Sequence, residues 1–154
     1  MNSKVVDVLV VENNPVDTEF TIQGVKQGYA SANLIHFENA ATALDFIRKP
    51  STQSSNLGLV FIDIGLQKAD GFTVLRAIRE NEITKFIPVV ILSGSEEEQK
   101  IERAYRLGAN SYVIKPTQFD HYLNTVKEVT RYWSLINVIP GDWNHHHDQN
   151  STRT

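Results

Sequence analysis

Two stretches of this chain, Leu57 to Ile62 and Val89 to Leu92, are continuously apolar over the length of a β-strand. A strand with one wet face alternates apolar and polar residues. An unbroken run instead predicts a strand covered on both faces, as in a parallel sheet between two helical layers. Three further runs have strand length: Val5-Val6 with Val8 to Val11, the weaker Leu34 to Phe37, and Ser111 to Ile114, which Lys115-Pro116 closes. Helix-patterned segments lie between them. Asn14 is suited to cap a helix whose first position is Pro15, where the missing N–H does no harm. Ser95-Glu96-Glu97-Glu98 reads as a capping box with Gly108 as the matching stop. Thr117 reads as the cap of a last helix that carries Phe119, Leu123, Val126 and Trp133 near one stripe. Five strands alternating with five helices predict an α/β chain, a (βα)5 doubly wound parallel sheet with right-handed crossovers.

At 154 residues the chain can bury one sizeable core, whereas two would each be poorly buried. The absence of Cys excludes a disulfide framework, a thiol nucleophile and a thiolate metal site. Fifteen Lys and Arg against eighteen Asp and Glu leave a formal charge of −3, which gives no electrostatic footprint for nucleic acid. The N-terminal apolar run is too short for a signal segment or a membrane span, so the expected setting is cytoplasmic. The polar stretch after Gly141, with three adjacent histidines, reads as a mobile tail rather than a metal site.

In an open parallel α/β sheet, sites form beyond the carboxyl ends of the strands. The residues there are Glu12 and Asn13 after the first strand, Asp63 after the third, Ser93-Gly94 after the fourth and Lys115-Pro116 after the fifth. Taken singly, each has a bland reading: Asp63 as a helix cap, Ser93 as a turn residue, Lys115 as a surface cation. Together they amount to two carboxylates, an amide, a hydroxyl and an ammonium. Clustered acidic oxygens invite a hard divalent cation, with Mg²⁺ favoured where few protein ligands and several waters complete the octahedron. A lysine offsets the charge of a transferred phosphoryl group, and a carboxylate is able to accept one as an aspartyl phosphate.

This constellation resembles the receiver domain of two-component response regulators. The matching segments are LVVENNPVD at the first strand end, FIDIGLQKADG around Asp63, VVILSGS at the fourth strand and NSYVIKP at the fifth. The resemblance spans roughly residues 5 to 133 and implies a flavodoxin-like sheet of strand order 2-1-3-4-5. It implies that Asp63 is the phosphoacceptor, loaded from a histidine kinase, and that Glu12, Asn13, Asp63 and the backbone carbonyl of Gly65 hold Mg²⁺. Ser93 would be the switch hydroxyl, Lys115 the phosphate-pairing cation and Tyr112 the aromatic switch, although an aromatic in a short strand is commonly just packing. The resemblance also implies a cis Lys115-Pro116 bond, while Asp70-Gly71 fits a turn with Gly71 at positive φ.

Two departures stand out. Asn13 replaces the usual second carboxylate, which predicts weaker Mg²⁺ binding and slower phosphorylation than in typical members, and Gln67 replaces a loop proline. The ending VTRYWSLINVIPG is similar to that of stand-alone regulators that partner bacterial phytochromes. The chain is accordingly expected to divide into a receiver, residues 1–137, and a C-terminal extension with its tail, 138–154. With no effector domain expected, output would pass through a protein contact: a kinase, a downstream phosphorelay protein, or a homodimer built on the fourth helix, fifth strand and fifth helix. The apolar extension either joins that dimer or covers its own core edge. A rival reading, motivated by Asn13, is a degenerate receiver acting as a phosphorylation-independent interaction module. Enzymes or cofactor proteins on a like fold fit poorly: a dehalogenase-type phosphatase needs a second Asp where Gly65 stands, and a flavodoxin needs a Ser/Thr/Gly-rich loop where Glu-Asn-Asn-Pro stands.

Overall fold

A computed structural model describes residues 5–49, 56–65 and 71–140. The elements alternate as β1 (Asp7–Val11), α1 (Pro15–Gly28), β2 (Asn33–Phe37), α2 (Ala40–Arg48), β3 (Leu57–Ile62), α3 (Gly71–Glu80), β4 (Val89–Ser93), α4 (Glu98–Arg106), β5 (Ser111–Ile114) and α5 (Phe119–Arg131). All strand pairs are parallel and the order is β2-β1-β3-β4-β5, as the resemblance implied. Gln67, Asp70 and the histidine-containing stretch lie outside the described residues.

The two apolar runs occupy the sheet interior. In β4 every residue is buried, and in β3 all but Gly58. Successive side chains point to opposite faces, so each strand feeds two cores. Val11, Val60, Ile62 and Ile91 pack with Ala43 and Ile47 of α2 and Leu75 and Ile78 of α3. Val8, Val10, Phe61 and Val90 pack with Val25 of α1 and Tyr122 and Val126 of α5. At the far end of the sheet, Arg79 donates to the carbonyls of Gly108 (2.9 Å), Ile87 (2.7 Å) and Lys85 (3.2 Å) and to Asn110 Oδ1 (2.7 Å). One guanidinium thereby ties α3 to the starts of β4 and β5.

The closest helix contact is α1 against α5. A Cβ at Gly28 would lie 2.6 Å from the Lys127 carbonyl oxygen and 3.1 Å from Thr130 Cβ, and one at Gly24 would lie 2.7 Å from Val126 Cβ. Helices this close tolerate no added methyl without backbone displacement. Gly28→Ala is therefore expected to destabilise the fold by about 1–3 kcal/mol, read as a lower urea midpoint at unchanged slope. An unchanged midpoint would show that the interface yields at little cost.

Several local expectations are corrected. Helix α4 starts at Glu98 with Glu97 as N-cap and no side-chain cap bond, so Ser95 does not head a capping box. Helix α5 starts at Phe119 with Gln118 as N-cap, not Thr117. Gly71 has no positive φ; among the described glycines only Gly108 does, at 100°. Gly71 opens α3 instead, where a Cβ would meet the Asp63 carbonyl oxygen at 2.6 Å. The Asn14 cap holds: its Oδ1 accepts the N–H groups of Val16 (2.9 Å) and Asp17 (3.0 Å). Beyond α5 the chain continues as a π-helical turn, Tyr132–Ile136, that leaves Tyr132, Leu135 and Ile136 exposed.

Candidate functional site

Backbone bonds at the carboxyl edge of the sheet set the site. The register places Val11 beside both Phe37 and Ile62. The ladder runs one residue further, with Glu12 N–H donating to Phe37 O (3.1 Å) and Asp63 N–H to Val11 O (3.0 Å). Lys115 N–H donates to Ser93 O at 2.8 Å in the same way. Three chemically active residues thus leave three strands at one level.

Their side chains meet. The Lys115 ammonium donates to Glu12 Oε2 (2.9 Å), Asp63 Oδ2 (3.0 Å) and Asp17 Oδ2 (2.8 Å). An ammonium has three donors, and all three are used. The second oxygens of Glu12 and Asp63 find backbone partners: Glu12 Oε1 accepts Asn14 N–H (3.0 Å) and Asp63 Oδ1 accepts Gly65 N–H (2.9 Å). His36 at the end of β2 contacts the Glu12 carbonyl oxygen through Nε2 at 2.9 Å and pins the loop from the other side.

Asp17 is the residue that sequence reasoning missed. It stands at the third position of α1, fixed by the Asn14 cap and Pro15. An acid in a first helical turn is ordinarily explained by the helix dipole. The available signal was the short Glu12-to-Asp17 spacing, which returns the first turn of the helix over the strand end. The pocket consequently holds three carboxylates rather than the two expected.

Burial governs the charges. Glu12 is 3% exposed. Its carboxyl is pushed up to about 7, chiefly by desolvation and further by the neighbouring Asp63 charge, against the lowering effect of Lys115. Burial alone would lower the Lys115 ammonium, but its bonds to Asp17 and Glu12 and the charges of Glu12 and Asp63 outweigh that and hold it above the ordinary lysine range. The peptide bond after Lys115 is trans, since no described peptide bond is cis. This corrects the expected cis bond: the ammonium reaches all three acids through the isomer that X–Pro bonds intrinsically favour, by about 0.5–1 kcal/mol.

The other predicted residues are placed less directly. Ser93, buried at the end of β4, accepts Ser95 N–H on its Oγ at 3.1 Å. Tyr112 is half-buried, and its hydroxyl donates to the Ser95 carbonyl oxygen at 2.8 Å. Both switch candidates therefore converge on Ser95, the residue that sequence reading had assigned to a helix cap. Asn13 is exposed and makes no hydrogen bond to another described residue. Among the described residues, no group of three His, Asp or Glu side chains is set to hold a metal ion. Mg²⁺ asks for less: one or two carboxylates, further hard oxygens and several waters. Glu12, Asp63, the exposed amide of Asn13 and the exposed Gly65 backbone offer that donor chemistry, so the residues present fit the ion. A carboxylate beside a fixed ammonium, with a hydroxyl on the adjacent strand end, is equipped to accept a phosphoryl group.

Comparison with known proteins points the same way. The family model described as the response regulator receiver domain matches residues 8–127. The chain is 32% identical over 135 residues to the "Probable methanogenesis regulatory protein FilR2" of Methanothrix harundinacea, covering 87% of each chain. Among solved structures it is similar to the phosphorylated cyanobacterial phytochrome response regulator RcpA, with a TM-score of 0.81 and 25% identity over 89% of this chain and 99% of that one. It is likewise similar to the Mn²⁺-bound form of response regulator Rcp1, with a TM-score of 0.78 and 25% identity over 88% of this chain and 99% of that one.

Proposed function

The chain belongs to the response regulator receiver domain family, and from that premise we propose that Asp63 accepts a phosphoryl group from a histidine kinase and thereby switches a protein-interaction surface. The observation that carries this reading is the Lys115 ammonium held at 3.0 Å from Asp63 and 2.9 Å from Glu12. In the transfer, an Asp63 carboxylate oxygen bonds to phosphorus as the P–N bond of the phosphohistidine breaks, and the departing imidazole takes a proton. Receiver domains bind Mg²⁺ or Mn²⁺ at this site, and here Glu12, Asn13, Asp63 and the Gly65 carbonyl would hold the ion. When bound, it neutralises charge on the phosphoryl oxygens.

The chain's own residues do the rest. Lys115 exchanges its bond to Asp63 for one to a phosphoryl oxygen. The Ser93 hydroxyl turns from Ser95 N–H toward the new acceptor, and the loop carrying Ser95 follows. Tyr112, tied to the Ser95 carbonyl, shifts with it. The surface so altered comprises α4, β5 and α5, where Tyr105, Ile114 and Phe119 are already exposed. A local charge event biases such a surface when its two forms differ by only about a few kcal/mol. Hydrolysis of the acyl phosphate by water resets it.

The likeness to the phytochrome response regulator RcpA supports a phytochrome-type kinase as partner, and the exposed Tyr132, Leu135, Ile136 and Val138 support a homodimer that includes the start of the C-terminal extension. A cytoplasmic setting is part of the same proposal. Among the described residues, no helix is long and apolar enough to cross a membrane. A phosphotransfer profile against candidate kinases, run beside light scattering with and without beryllofluoride, tests the reading. Label on this chain and a doubled mass with beryllofluoride support it. Label absent with every donor at millimolar Mg²⁺ favours the rival, a phosphorylation-independent interaction module motivated by Asn13.

Glu12 adds a pH dependence. A metal-bound carboxylate must be ionised. With its carboxyl at about 7, Glu12 is mostly protonated at pH 6 and mostly ionised at pH 8. Mg²⁺ affinity is therefore expected to be about tenfold higher at pH 8 than at pH 6, with proton release on binding. A calorimetric titration in two buffers of different ionisation heat measures both. Equal affinity at the two pH values would show that Glu12 does not titrate in this range.

A further inference from the structure

We propose that Asp17 is a positioning residue for phosphoryl transfer: its carboxylate, presented from α1, anchors the Lys115 ammonium beside Asp63 before and after the phosphoryl group arrives. The inference rests on the reading of Asp63 as the phosphoacceptor and names the group that readies its neighbour.

Three observations carry it. The Asp17 bond to Lys115, at 2.8 Å, is the shortest of the ammonium's three. Lys115 is 12% exposed and Asp17 27% exposed, so the bond is largely shielded from water. Asp17 is itself fixed at both ends of its segment. The Asn14 Oδ1 holds its N–H at 3.0 Å, while Thr21, one turn on, is buried with its Oγ1 2.9 Å from the hydroxyl of Tyr122 in α5. A lysine stem has four flexible torsions, and an ammonium held only by Asp63 and Glu12 would lose one of its anchors at the moment Asp63 is esterified. With Asp17 in place two anchors remain, and the freed donor faces the phosphoryl oxygens. Asp17 also restores the negative charge that Asn13 does not supply. The carboxylate count that the sequence leaves one short is made up from a helix instead of the loop.

The test uses the full chain with Asp17→Asn, and Asp17→Ser as a second variant should the first not fold, with folding checked by circular dichroism. Two readouts are taken: the initial rate of labelling by acetyl phosphate at saturating Mg²⁺ and donor, and the ¹H–¹⁵N signal of the Lys115 ammonium at low temperature, assigned by its loss in Lys115→Met. A shielded, fully bonded ammonium exchanges slowly enough to be seen. The expected result is a labelling rate lowered about tenfold at saturating donor, since the loss is one of positioning, with the Lys115 signal broadened or lost. A labelling rate within twofold of wild type, or an unchanged ammonium signal, would overturn the proposal. If the wild-type chain takes no label, the phosphoacceptor reading fails, while the ammonium signal still decides whether Asp17 holds Lys115.

Discussion

Asp63→Asn is expected to abolish phosphoryl acceptance, with labelling by acetyl phosphate or a kinase falling at least a thousandfold, to background. An amide oxygen is too poor a nucleophile to form the acyl phosphate. The variant should nonetheless fold. Its side chain keeps the shape of aspartate and can still accept the Gly65 N–H, while the bond to Lys115 is one of three that the ammonium makes. Loss of label with an unchanged circular dichroism spectrum assigns the chemistry to residue 63. Label that persists in Asp63→Asn would place the acceptor elsewhere.

Lys115→Met should be the most damaging single change, because it acts on both chemistry and stability. It removes the cation that Glu12, Asp17 and Asp63 share. Labelling is expected to fall at least a hundredfold for lack of a charge to meet the phosphoryl oxygens. Stability suffers because a carboxylate that is 3% exposed loses its partner; breaking a buried pair on one side costs about 3–5 kcal/mol. The pH dependence has a definite sign. The Glu12 carboxyl, already at about 7 with the lysine present, rises further without it. An acid whose folded pKa exceeds its unfolded one destabilises the fold once ionised in the unfolded chain. The cost is therefore absent below about 4.5 and grows as pH rises through the folded value. Urea unfolding at pH 6 and pH 8 should show the larger deficit at pH 8. A deficit that is equal at both, or larger at pH 6, would show that Glu12 is not the group left unpaired.

How much of this was legible in the chain depends on the range of the forces involved. The strands at Leu57–Ile62 and Val89–Ser93 were readable because burial on both faces leaves no room for polar residues. The start of α1 was readable because Asn14 and Pro15 act within one turn. Glu12, Asp63 and Lys115 were readable because a parallel sheet brings its strand ends to one edge. The start of α4 was not: Ser93 and Tyr112 hold the Ser95 backbone, and the Ser95 hydroxyl accepts the N–H of Glu97, one residue short of the capping-box partner. Asp17 was hidden for a similar reason: its partner lies 98 residues away, and nothing within its own turn distinguishes it from an ordinary first-turn acid. The role of Arg79 at the opposite end of the sheet likewise depends on carbonyls presented by other elements.

The most direct test of the central claim is chemical rather than mutational. An acyl phosphate is reduced by borohydride to the corresponding alcohol, which marks the esterified carboxyl in the peptide mass. The wild-type chain, labelled with acetyl phosphate and Mg²⁺ and then reduced, should yield homoserine at position 63 and nowhere else. Homoserine at position 17, the one-carbon-longer 5-hydroxynorvaline at Glu12, or phosphate retained on Ser93, would contradict the account.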